Sequence, residues 1–315
     1  MAEVALTAKQ IEVRDQILDP GGDRPVFDLG LAEELRGELE TSLAPIAAAL
    51  EPQDQLFVSK QKLKDAQTCE GLLYARDHGV FEMNSAIARG TLAHRSMQRL
   101  IGSDYELTPL DAVHGLFGDL IEDPGGDSAG EFVQSMGAGK RAELCSEVAD
   151  MVIKFATDWP RLKRAWNPRV ESRIAASFSG GLIRLSGKVD LAIGNQRDGA
   201  AGVFIADLKT GFERHDNLYD VRFYALLETL RSSVPPFRIA VYYLDSGQCH
   251  WLDVTEDLLR SEVRRVLDGI EIYHRVRKQR KDELRRTPNG LCPYCSLFND
   301  CEPGQVSVAQ RDSDT

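Results

Sequence analysis

The chain reads as an α/β protein, a mixed central sheet flanked by helices and preceded by a helical N-terminal region. Three observations predict this. Apolar residues recur at helical spacing through much of the first 170 positions. Four apolar segments of strand length then follow, 182–194, 202–209, 238–245 and 248–254. A helical segment, 217–231, separates the second from the third, as a layered strand–helix–strand arrangement requires. With 315 residues, 43% of them hydrophobic, the chain can bury a full core as one large domain with a helical lobe. It contains no internal repeat.

Taken in order, residues 1–58 are mostly helical in pattern, with Leu31, Leu35, Leu39, Leu43 and Ile46 on one face. Ser59 is placed to cap a helix that carries Cys69 near its far end. On a helix over 84–101, His94 shares a face with Ile87, Thr91, Met97, Gln98 and Ile101, so by itself it reads as a core histidine. About 101–170 form an acidic, Gly-interrupted and otherwise helical insertion that includes Cys145. The run Met136-Gly137-Ala138-Gly139-Lys140 is not a phosphate loop, because Gln134 and Arg141 stand where glycine and a hydroxyl residue are needed. In Ile183–Ile193, Ile183, Leu185, Val189, Leu191 and Ile193 alternate through polar or small neighbours. Residues 195–202 read as a turn, 203–208 as a second strand, and 248–254 as a strand bearing Cys249. The tail, 302–315, is polar and lacks apolar periodicity, and is expected to be disordered.

The first chemical signal is Gly187-Lys188-Val189-Asp190 followed, 17 residues after Asp190, by Asp207-Leu208-Lys209. Pairing these strands as a hairpin would bring Asp190 and Asp207 together on one face. Carboxylates of this kind hold hard cations such as Mg²⁺ or Mn²⁺, with water completing the shell. Lys209 lies two residues beyond Asp207, so alternation points both side chains to one face. An amine there can stabilise charge developing on an attacked phosphate. Against this, acids and lysines at strand ends are commonly solvated turn residues.

The second signal is Cys292-Pro293-Tyr294-Cys295 and then Cys301, among six cysteines. No leader or apolar run precedes them, so a reducing cytoplasm without membrane attachment is expected, where clustered thiols favour metal over disulfides. Three thiolates need a fourth ligand, and Cys69 is the candidate; Cys145 and Cys249 read as ordinary buried cysteines. The spacing itself leaves iron–sulfur and zinc open.

Together these motifs resemble the RecB-like branch of the PD-(D/E)xK nuclease superfamily, and within it the iron–sulfur members: CRISPR-associated RecB-like exonucleases, the AddB nuclease domain and exonuclease V. The likeness runs in order from Ser59 to Cys301 and implies a restriction-endonuclease-like core over 59–301. It implies that His94, Asp190, Asp207 and the Leu208 carbonyl hold Mg²⁺ or Mn²⁺, with Lys209 at the attacking water. It also implies that Cys69, Cys292, Cys295 and Cys301 hold a 4Fe-4S cluster closing the N-terminal part onto the C-terminus. One motif departs. The family's Gln-x-x-x-Tyr helix keeps Tyr224 here, but Asp220 stands where the glutamine would, and an acid there could repel phosphate or recruit a second cation.

The activity implied is metal-dependent cleavage of DNA, by an exonuclease preferring single-stranded ends. With no motor motif in the chain, a helicase or another DNA-processing protein is the implied partner. The alternatives are a non-catalytic DNA-binding or assembly subunit on a decayed nuclease fold, and the same fold with structural zinc. The net charge of −11 argues against a protein that coats nucleic acid. Its distribution is uneven: 171–301 carries 19 Lys and Arg against 18 Asp and Glu, so the acidity lies elsewhere. Arg275, Arg277, Lys278, Arg280, Lys281, Arg285 and Arg286 crowd one segment, either a solvated helix face or a DNA contact.

Overall fold

A computed structural model describes residues 5–18, 23–196 and 200–313. In chain order the elements are α1 (Ala8–Leu18), α2 (Leu31–Ala47), β1 (Leu56–Val58), α3 (Lys60–Thr68), α4 (Glu70–His78), α5 (Ser85–Gly102), α6 (Pro109–Glu122), α7 (Ser128–Ser135) and α8 (Ala138–Asp158). They continue with β2 (Arg169–Phe178), β3 (Ile183–Ile193), β4 (Phe204–Lys209), α9 (Leu218–Ser232), β5 (Arg238–Tyr243), β6 (Gln248–Asp253), α10 (Glu256–Lys278) and α11 (Glu302–Ser313). The strands form one mixed sheet in the order β1-β3-β4-β5-β6, with β2 also paired to β3. This is the predicted mixed sheet with flanking helices. Two of its strands, β1 and β2, were not anticipated, and the expected 195–202 turn falls partly outside the described residues.

Polar caps start the helices. The Ser59 side chain accepts from Lys62 N–H ahead of α3, and Asn84 accepts from Ile87 N–H ahead of α5. Thr108 and Asp111 form a reciprocal capping box at α6, with Pro109 in the first turn where its missing N–H costs nothing.

The contacts divide the chain into two compact units that interleave in sequence. The first comprises Met1–Leu29, Met83–Arg173 and Lys188–Thr255. Within it β3 runs antiparallel to β4, β4 parallel to β5, and β5 antiparallel to β6. The even-numbered side chains Phe204, Ala206, Leu208, Ala240 and Tyr242 join one core with α5, α6 and α8. The opposite face of β4 and β5 is covered by α9. Covered on both faces, β5 is buried at every residue, as a central strand of a layered α/β sheet should be.

The second unit comprises Gly30–Glu82, Ile174–Gly187 and Glu256–Thr315. Here α10 packs against α2, α3 and α4, burying Leu259, Val263, Val266, Ile270 and Tyr273. Gly269 permits this approach, since a Cβ there would sit 2.6 Å from Leu63 Cδ2. The basic segment is largely engaged with its own unit. Arg275 binds Glu70, Lys281 binds Asp300, and Arg277 and Lys278 donate to backbone carbonyls of Gln55 and Ala49.

The tail departs from expectation. Residues read as disordered form α11 up to Ser313, with 314 and 315 outside the described residues. Its helicity comes from tertiary anchors rather than an apolar stripe. Gln305 donates to the Phe298 and Asn299 carbonyls, and Arg311 donates to the Asn289 carbonyl.

Candidate active site

The register Leu191↔Ala206 makes Asp190 and Asp207 the next facing positions of the β3–β4 hairpin. Asp190 Oδ2 accepts the Leu208 N–H at 2.7 Å, which ties the two strands together where the acids lie. The Leu208 carbonyl meets His94 Nε2 at 3.0 Å, and His94 Nδ1 meets Glu171 Oε1 at 2.9 Å and Asp190 Oδ1 at 3.5 Å. Carbonyls and carboxylates only accept, so each ring nitrogen faces an acceptor. Burial would lower its pKa, but Asp190 and Glu171 overcome that and raise it to about 10.

Glu171 is the residue that sequence reasoning missed. It lies on β2 with φ 53°, a left-handed conformation unusual for a non-glycine inside a strand. Lys188 pairs with its second oxygen. Burial would raise the Glu171 carboxyl, but hydrogen bonds from His94 and Lys188 hold it below the usual glutamate range. The available signal was the alternation Ile174, Ala176, Phe178, which marks a strand just downstream but does not mark Glu171 itself.

Lys209 projects to the face that α9 covers, as strand alternation predicts. Its Nζ lies 2.7 Å from Asp207 Oδ2 and 2.7 Å from Asp220 Oδ2. Asp220 therefore engages the lysine, although it is an acid where an amide was expected. Tyr224, one turn along α9, donates its hydroxyl to the Lys188 carbonyl at 2.6 Å, holding β3 from the same side.

The donor set suits a hard divalent cation. Ligand atoms of His94, Glu171 and Asp190 lie within 4.8 Å of one another. Carboxylate, imidazole and carbonyl donors are the kinds of ligand that divalent cations take.

All four predicted cluster cysteines come together in the second unit. Cys69, Cys292, Cys295 and Cys301 line one small cavity with Gly71, Leu72 and Thr287. Backbone N–H groups already point at the sulfurs: Thr287 N donates to Cys69 Sγ at 3.4 Å, and Asn289 N to Cys292 Sγ at 3.2 Å. Burial raises the Cys295 thiol, and the other three cysteines raise it further. Gly304 closes the cavity, since a Cβ there would lie 3.2 Å from Cys301 Sγ. Cys145 and Cys249 belong to the first unit. Burial pushes the Cys249 thiol up to about 12, the mark of an inert structural cysteine.

Among the described residues, no helix is long and apolar enough to cross a membrane. The family model described as the PD-(D/E)XK nuclease superfamily matches residues 58–302, which contain every residue of both sites. Solved structures similar to the chain include a proposed exonuclease from Eubacterium rectale, 13% identical with a TM-score of 0.46, covering 78% of this chain and 87% of that one. Another is SSO0001, 12% identical with a TM-score of 0.35, covering 86% of this chain and 96% of that one. No curated protein matches the chain.

Proposed function

This chain belongs to the PD-(D/E)XK nuclease superfamily, and we propose that it is a Mg²⁺- or Mn²⁺-dependent deoxyribonuclease, an exonuclease acting on single-stranded DNA ends. The observation that carries the reading is the Lys209 ammonium held 2.7 Å from both Asp207 and Asp220, beside Asp190 and His94. A decayed site would have no need to keep a lysine and its carboxylates so placed.

His94, Asp190, Asp207 and the Leu208 carbonyl would hold the cation, which supplies Lewis acidity and lowers the pKa of water. The residues do the rest. Asp190 accepts the Leu208 N–H, which holds β3 against β4 at the residue whose carbonyl faces the site. Lys209, steadied by two carboxylates, directs positive charge and hydrogen bonds toward the attacked phosphate and offsets the charge that develops on its oxygens. Asp220 takes the positioning part that the family gives to glutamine. Tyr224 fixes the strand that carries Asp190.

Cys69, Cys292, Cys295 and Cys301 would hold a 4Fe-4S cluster. All four thiols line one cavity, which supports a four-thiolate site, and the resemblance to the iron–sulfur members favours the cluster. Lacking a motor, the enzyme would receive its single-stranded ends from a helicase or other DNA-processing partner.

The test is digestion of end-labelled single-stranded and duplex DNA, and of circular single strands, with Mg²⁺, Mn²⁺ or EDTA. Metal-dependent shortening of linear single strands alone is expected. Cleavage of circles would make the enzyme an endonuclease. DNA binding without cleavage under any metal would favour the non-catalytic subunit.

A further inference from the structure

Glu171 lies outside the ligand set just described, yet its carboxylate meets His94 of that set at 2.9 Å. Its two oxygens are both committed to protein groups: Oε1 is 2.9 Å from His94 Nδ1, and Oε2 is paired with Lys188. The ring's other nitrogen, Nε2, faces the Leu208 carbonyl at 3.0 Å. The two nitrogens thus point at different partners, one at a carboxylate and one at a carbonyl of the metal site. Asp190 differs from Glu171 in this respect. Its Oδ2 is taken by the Leu208 N–H, but its Oδ1 lies 3.5 Å from His94, beyond ordinary hydrogen-bond contact.

We propose that Glu171 is the positioning carboxylate of the metal centre: it holds Nδ1–H of His94, leaving Nε2, which releases its proton to solvent on binding, as the nitrogen that ligates the cation, while Lys188 keeps Glu171 in that place. The inference rests on the nuclease reading of the site. Metal-bound histidines usually donate their other N–H to such a carboxylate, which fixes ring orientation and tautomer and raises ligand basicity. Two features of the chain fit a residue selected for placement. The Glu171 backbone is left-handed within β2, a conformation that survives only where its surroundings enforce it. Lys188 stands two residues before Asp190 on β3, so the Lys188–Glu171 pair fixes β2 against the strand that carries the ligand. With Lys188 on its second oxygen, Glu171 is also discouraged from turning into the site as a ligand itself.

A direct-ligand role is the competitor, because the Glu171 oxygen lies within 4.8 Å of the Asp190 and His94 donor atoms. Mn²⁺ binding to the purified full chain separates the two without measuring cleavage. Affinity is read from loss of the free-ion electron paramagnetic resonance signal, and imidazole coordination from ¹⁴N modulation of the bound ion. Glu171→Gln retains an amide oxygen that accepts Nδ1–H but has lost its charge. It should bind Mn²⁺ within about threefold of wild type and keep the ¹⁴N signature, whereas Glu171→Ala should bind about 10- to 100-fold more weakly. If Glu171→Gln falls as far as Glu171→Ala, or Glu171→Ala binds like wild type, the proposal is wrong. Should Glu171→Ala fail to fold, Glu171→Gln decides alone: tenfold weaker binding overturns it. Asp190→Asn is the separate control. Unchanged Mn²⁺ binding in that variant would remove the nuclease reading itself, whatever Glu171 does.

Discussion

Lys209 is where the chemistry is most exposed to test. Its ammonium touches Asp207 from its own strand and Asp220 from α9. Asp207→Ala removes a carboxylate of the metal site, and Lys209→Ala removes the charge facing the phosphate. Each should lower cleavage by about a hundredfold or more, equivalent to roughly 3 kcal/mol of barrier, with the thermal midpoint little changed. Wild-type rates in both variants, measured on the same labelled strand, would show the site to be misplaced. Asp220 answers a finer question. Because its carboxylate binds the lysine, Asp220→Gln should keep activity within a few-fold, since the amide oxygen can still accept from Nζ. Asp220→Ala should lose about tenfold, the usual scale for loosening a positioned group. A Gln variant as slow as the Ala variant, with weakened metal response, would instead assign Asp220 to a cation. Asp207 and Lys209 were marked in sequence by strand alternation, and Asp190 joined them through the hairpin that the turn at 195–202 implies and through the family resemblance. His94 was legible only through family resemblance, since its helix face also suits a core residue. Glu171 was not legible, because its placement depends on a single left-handed backbone angle.

The hairpin of β3 and β4 converts sequence spacing into site geometry, and two glycines make it possible. Gly194 has φ 98°, and a Cβ there would lie 2.1 Å from the Gly202 carbonyl oxygen. A Cβ on Gly202 would meet the Asn195 carbonyl oxygen at 1.8 Å. Neither clash involves a flexible side chain, so the backbone itself would have to move. Gly194→Ala should therefore cost at least about 2 kcal/mol of stability by denaturant titration. It should also reduce cleavage at temperatures where the protein remains folded, because register sets Asp190 against Asp207. A variant with native stability and native rate would show that the hairpin tolerates the shift. The same element scale explains what was missed. Ile183–Ile193 alternates cleanly, and its predicted bounds coincide with β3. β1 is three residues long, too short to carry a pattern, and is defined by its parallel pairing with Ile183, Arg184 and Leu185. The helix α11 has a polar, weakly patterned sequence and is held by side-chain bonds to 289–299, which no local period reports.

At the scale of the whole molecule, the chain leaves each compact unit and returns to it, and contiguous segments of sequence do not reveal that. The expected division at 58 cuts through the second unit, and the N-terminal helices α1 and α2 fall in different units. The cysteines are a long-range feature to which the sequence pointed, because three clustered thiolates call for a fourth ligand wherever it lies in the chain. Cys69 precedes Cys292 by 223 residues, and that interval contains the larger part of the first unit. A link closing a loop this long restricts the unfolded chain by about 5 kcal/mol in the chain-entropy account, with only slow dependence on length. Purified without oxygen, the protein should be brown, absorb broadly near ~400 nm and carry about four irons per chain. Cys69→Ala should lose the colour and much of the stability together, since one substitution removes both a ligand and the closure. Cys145→Ala and Cys249→Ala should keep the iron, because burial raises both thiols and favours their protonated, non-ligating form. A colourless protein with one zinc would place zinc in the same cavity. Full iron content in Cys69→Ala would mean that the cluster closes through another residue, and that the long loop is held by packing alone.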